Sequence, residues 1–246
     1  MIASKNHPVK RDALTLSLIC IVVFIMAGLR AAYSGTLTNL FVYWNIFLAL
    51  AAFGFIKLFN KLGGAELKPK LKNLSLVFVF MGWLSLMPNA IYLVTDIGHL
   101  NGPKLVESSR YNPYKKQVVA KHQVPYLYDV VMLFLLALVG FQSSGMLTTS
   151  MFKALKSSQL KKYIKFNRKS EFLFLSLVSL ATGVAIFLGR YLRWNSWDVI
   201  INPINILKDL YYYFTHPLAT PSLYLSLILF FVLTVLAHLI MKTKAD

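Results

Sequence analysis

Six stretches of this chain are each long and apolar enough to cross a lipid bilayer, and that feature constrains its fold more than any other. They are Ala13–Tyr33, Leu37–Phe59, Leu74–Val94, Tyr126–Phe152, Phe172–Leu192 and Leu223–Met241. Crossing the hydrocarbon core as a helix takes roughly 20 mainly apolar residues. Six such spans in 246 residues leave little chain for a soluble domain, so residues 1–246 read as one all-α, polytopic transmembrane bundle. A hydrophobic content of 57% with only 14% charged residues excludes an ordinary soluble domain.

The basic residues set the orientation. Lys and Arg collect in short loops on the cytoplasmic side of a membrane. Here they fall at the N-terminus (Lys5, Lys10, Arg11) and in the second-to-third connection (Lys57, Lys61, Lys68, Lys70, Lys72). More lie in the fourth-to-fifth connection (Lys153 to Lys169) and in the tail (Lys242, Lys244). Both termini are therefore expected in the cytoplasm. A net charge of +17 also suits nucleic-acid binding, which needs basic phosphate contacts. Its placement in loops between spans favours topology and attraction to anionic lipid headgroups instead, so no nucleic-acid partner is expected. Cys20, the single cysteine, lies mid-span and reads as a small packing residue. Ala13–Gly28 has the length of a signal sequence, but Arg30 stands where small cleavage-site residues belong. That span is read as retained.

No repeat or low-complexity tract interrupts the chain. The two outer connections, Thr95–Pro125 and Arg193–Ser222, are the longest. The second carries the aromatic run Tyr211-Tyr212-Tyr213-Phe214, suited to headgroup level, so a short interfacial helix is expected there.

The third span holds the sharpest polar signal. Ser85, Asn89, Tyr92, Asp96 and His99 recur at helical spacing and form one stripe. Pro88, which has no N–H to donate, is expected to kink the helix and free the carbonyl near Leu84. Other spans bring polar residues to the same outer level: Arg30, Asn45, Asp129, and the segment Arg190, Arg193, Asn195, Trp197 and Asp198. Charges within hydrocarbon are costly and face a bundle interior, pair, or serve a function. Arg190, Arg193 and Trp197 are spaced for one helix face. Arg30 taken alone reads as an interfacial anchor that snorkels to the headgroups.

Three chemistries fit this set. Arg190 and Arg193 would clamp a phosphate or carboxylate. Asp96, His99, Asp129 and Asp198 would ligate a divalent metal. Asp96 with His99 would transfer a proton. The residues identify neither a metal nor a cofactor. His122 joins the set only if its loop folds back; His7, His216 and His238 read as surface or packing residues. Zinc-protease, serine-hydrolase-elbow and phosphate-loop motifs are absent from the sequence.

Several blocks resemble one family in order: Trp44 to Ala49, Met87-Pro88-Asn89-Ala90 through Thr95-Asp96 with His99-Leu100, Tyr128-Asp129, and Gly189-Arg190 through Asp198. The chain resembles the bacterial integral membrane proteins grouped as domain of unknown function 1361, over about residues 40–207. Ile91 replaces the family's second proline, which softens the expected kink. The resemblance implies a multi-pass protein of the bacterial cytoplasmic membrane and implies no activity.

Together these readings favour a site at the outer helix ends that binds or acts on an anionic lipid or envelope precursor. Asp96, His99 and Asp129 are its catalytic candidates. Asn45, Asn89, Arg190, Arg193, Asn195 and Asp198 are its ligand-binding candidates. The alternatives are a small proton-coupled transporter, which needs polar residues continuing to the cytoplasmic half, and an accessory membrane subunit with structural ion pairs.

Overall fold

A computed structural model describes residues 7–100, 123–162, 164–194, 198–217 and 220–243. Among them there are helices and no strand. The helices are α1 (His7–Ser34), α2 (Phe41–Gly64), α3 (Pro69–Leu86), α4 (Pro88–Thr95), α5 (Gln123–Ser157), α6 (Arg168–Arg190), α7 (Asp198–Ile201), α8 (Pro203–Thr215) and α9 (Pro221–Thr243). Six helical segments are long and apolar enough to cross a membrane: Arg11–Ser34, Phe41–Gly64, Pro69–His99, Val124–Ser157, Arg168–Arg190 and Pro221–Thr243. All six expected spans are present. The second begins four residues later than expected because Thr38–Leu40 form a 3-10 turn before α2.

Local chemistry sets the helix ends. Gly35 takes the left-handed conformation (φ 63°) that closes α1. Proline opens α3 and α8, where its missing N–H leaves no bond unmade. α6 starts with a reciprocal cap. Asn167 Oδ1 accepts from the Ser170 amide at 3.0 Å, and Ser170 Oγ accepts from the Asn167 amide at 2.8 Å. The third span breaks at Met87, between α3 and α4, and tightens into a 3-10 turn over Asp96–His99.

Packing is centred on α5. A Cβ added at Gly140 would sit 2.5 Å from the Ala90 carbonyl oxygen, and one at Gly145 would overlap the carbonyl of Ala237. Close backbone approach at small residues is how helices gain contact where lipid offers no hydrophobic drive to associate. Leu14, Leu18, Ile25, Phe78, Leu225 and Ile228 are exposed on the outside of the bundle, as lipid-facing residues should be.

The N-terminal part of α1 meets α5 where Gln142 Nε2 donates to the Asp12 carbonyl at 2.9 Å. The C-terminal end of α9 meets the start of α6 through Lys242 and Glu171. α1 and α9 thus present their terminal ends on the side that carries the Lys-rich connections, here called the basic end. The polar stripe of the third span runs toward the far end. There α8 exposes Ile204, Leu207, Tyr211 and Phe214 along one stripe, the pattern expected of a helix lying in a headgroup layer.

Candidate functional site

At the far end, the turn after α4 places Asp96 in the interior, fully buried. Asn45 on α2 donates from Nδ2 to Asp96 Oδ2 at 2.9 Å. Arg190, the last residue of α6, reaches across: Nη2 donates to the Thr95 carbonyl at 3.0 Å and Nη1 lies 3.2 Å from His99 Nε2. A guanidinium can only donate, so Nε2 is the acceptor and the ring proton belongs on Nδ1. Asp96 Oδ1 is then left 3.7 Å from His99 Nε2 and 3.9 Å from Arg190 Nη1, with no hydrogen bond. A buried carboxylate oxygen without a donor is an exception to be explained. Gly98 makes the arrangement possible, because a Cβ there would lie 2.7 Å from Arg190 Nη2. The His99 ring packs on Phe41 with centroids 4.5 Å apart.

Beside this cluster opens a crevice of about 600 Å³. Trp44, Asn45 and Leu48 of α2 line it, with Ala181, Ala185 and Gly189 of α6, and the α3–α4 break at Pro88 also contributes. Ser85, Asn89 and Tyr92 from the predicted stripe line it as well. Arg190 stands over the Tyr92 ring at 5.9 Å. Trp194 and Ile206 complete the lining. Trp194 is fixed by its indole Nε1, which donates to Asp209 Oδ2 on α8 at 2.9 Å. Among the described residues, no charged side chain lines it.

The structure separates residues that helical spacing had grouped. α6 ends at Arg190, and Arg193 follows in a left-handed conformation (φ 60°) with its side chain exposed. Arg190 and Arg193 therefore do not share a helix face. Asp129 does not join Asp96. Arg30 Nε and Nη2 donate to its two oxygens at 2.7 and 3.0 Å, tying α1 to α5. Arg30 is thus an ion-pair partner and not a free interfacial anchor. Asp198 opens the separate helix α7. Asn195, Trp197 and His122 lie outside the described residues. Among the described residues, no three His, Cys, Asp or Glu side chains approach closely enough to hold a metal ion, so the metal set is not assembled.

The model of the family described as a protein of unknown function (DUF1361) matches residues 44–237. The chain belongs to this family. The match extends beyond the expected residue 207 to include most of the last span, while α1, which supplies Arg30, precedes it. No curated protein and no solved structure matches the chain.

Sequence reasoning missed a second polar cluster, at the basic end. Glu171 of α6 accepts from Lys242 Nζ at 2.6 and 2.7 Å and lies 3.0 Å from His238 Nε2, while His238 Nδ1 lies 3.2 Å from Thr149 Oγ1. Glu171, the only Glu in the last four spans, was the available signal. Asp209, Gly98 and the Thr95 carbonyl were also missed; only the last two adjoin the polar stripe.

Proposed function

We propose that the far end faces outward across a bacterial cytoplasmic membrane and that the crevice takes an amphipathic lipid or lipid-linked envelope precursor from the bilayer. The crevice itself carries this reading. Its volume falls within the roughly 300–1,000 Å³ of ligand sites. Its deeper lining is apolar (Leu48, Met81, Leu84, Ala181), and its outer lining is amide, phenol and indole (Asn45, Asn89, Tyr92, Trp194). Met81 to Tyr92 covers about 16 Å along the span, enough for a headgroup junction and the upper part of a chain. Arg190 stands at the rim beside the Tyr92 ring, while Asp96 and His99 lie beyond it as proton-handling groups.

Native mass spectrometry of the gently solubilised protein tests the reading. The wild type should carry a lipid-sized adduct, and Ala185→Phe, which fills the crevice, should lose it while still folding. A wild type that retains no adduct in any mild detergent would remove the proposal.

One observation favours the transporter as a second reading. Ser143, Ser144, Thr148 and Thr149 are buried between helices toward the basic end, and Thr182 is buried beside Met87, as polar groups spread across the bundle would be in a transport route. Uptake into proteoliposomes distinguishes it from binding alone.

A further inference from the structure

Resting on the lipid-binding reading above, we infer that the polar head received by the crevice is an uncharged polyhydroxyl group, a sugar ring carried on a hydrocarbon chain.

Charged groups that touch the lining are already engaged: Asp209 accepts from the Trp194 indole, and Arg190, over the Tyr92 ring, is held elsewhere. Arg190 is held by the Thr95 carbonyl and His99 beside Asp96, and Arg30 is held bidentately by Asp129. Neither arginine lines the crevice, nor does any other charged residue among those described. A bare phosphate or carboxylate drawn inside would lose its water without gaining an ionic partner, which is unfavourable in a site of low polarity. The groups that do line the polar half are neutral. Asn89 donates from Nδ2 to the Leu86 carbonyl at 3.0 Å, which directs its Oδ1 acceptor elsewhere. Ser85 Oγ donates to the Gly82 carbonyl at 2.8 Å and keeps lone pairs to accept. Such acceptors match hydroxyl donors.

The aromatic walls point the same way. A pyranose ring presents polar hydroxyls at its edge and polarised C–H groups on its faces, so an indole face covers one of its surfaces well. Trp194 reaches the crevice from the segment after α6, and its bond to Asp209 fixes the ring plane. Trp44 stands in the lining on α2, stacked on Phe47 with centroids 5.6 Å apart. A wall that only had to hold an acyl chain would need neither an oriented indole nor amides. The apolar floor from Leu84 to Met81 then receives the chain.

The test uses the full-length protein in nanodiscs of phosphatidylethanolamine and phosphatidylglycerol. These are doped in turn with monoglucosyl diacylglycerol, glucosyl polyprenyl phosphate, diacylglycerol or phosphatidic acid, and lipid retention is read by native mass spectrometry. At least one glucosylated lipid should be retained about tenfold better than diacylglycerol and phosphatidic acid, and which one identifies the carrier chain. Trp194→Leu should reduce that preference about tenfold, in keeping with the loss of one aromatic contact. Asn89→Leu serves as a second variant should Trp194→Leu not fold. Equal retention of glucosylated and plain lipids overturns the sugar assignment and leaves the lipid crevice standing. Retention of none of the four overturns both.

Discussion

At the basic end, Glu171 meets Lys242 and His238 within 3.0 Å, and the second nitrogen of His238 meets Thr149. At the far end, Asp96 is at least as deeply buried, yet one of its oxygens has no hydrogen bond and two cationic or imidazole groups stop 3.7 and 3.9 Å away. A fully satisfied polar network in a low-dielectric interior rigidifies the structure, whereas a partly satisfied one carries the cost of a buried atom without a partner. The first arrangement is a strut between α5, α6 and α9. The second has been left incomplete beside the crevice. Burial alone therefore does not distinguish the two carboxylates; completeness of partnering does.

Four substitutions sharpen or break that contrast. Glu171→Ala strands the fully buried His238 and should lower unfolding free energy by about 2–3 kcal/mol, at the low end for a broken buried pair because Lys242 reaches solvent. Unfolding in mixed micelles measures it. Gly98→Ala should push the Arg190 guanidinium off the Thr95 carbonyl and cost about 1 kcal/mol in the same assay. Arg30→Lys keeps the charge but loses the two-point contact with Asp129, for a loss of about 0.5 kcal/mol. Asp96→Asn should leave stability unchanged within about 0.5 kcal/mol, since the lost charge was only half satisfied, while altering lipid retention in the mass-spectrometric assay. If Asp96→Asn destabilises as much as Glu171→Ala, the far-end cluster is a strut too and the contrast fails.

The architecture was legible in the sequence because it rests on local properties. Run length identified six spans, and helical spacing identified the stripe from Ser85 to His99, three of whose members line the crevice. What failed were inferences that crossed from one segment to another. Spacing placed Arg193 on the face of Arg190, but periodicity cannot see that α6 stops at Arg190. Three arginines and three aspartates at one level left the pairing open, and backbone geometry assigned Asp129 to Arg30 and set Arg190 near Asp96. Trp194 and Asp209 are 15 residues apart, in a connection and the following surface helix, so no repeat links them. Glu171 was readable as an acid at the start of a span, yet its partners come from another helix 67 and 71 residues on.

The break at Pro88 changes what a mutational survey of this protein can find. Proline has no amide hydrogen, so the Leu84 carbonyl lacks its usual helical donor, and both residues line the crevice. A main-chain oxygen is thereby offered inside the bilayer, where a helix ordinarily presents only hydrocarbon. No side-chain replacement at Leu84 removes it. Truncating the Leu84 side chain therefore tests the apolar wall of the crevice and leaves this acceptor in place. Pro88→Ala, by restoring an amide, gives that oxygen its helical donor, so the informative genetic lesion lies four residues from the atom it acts on.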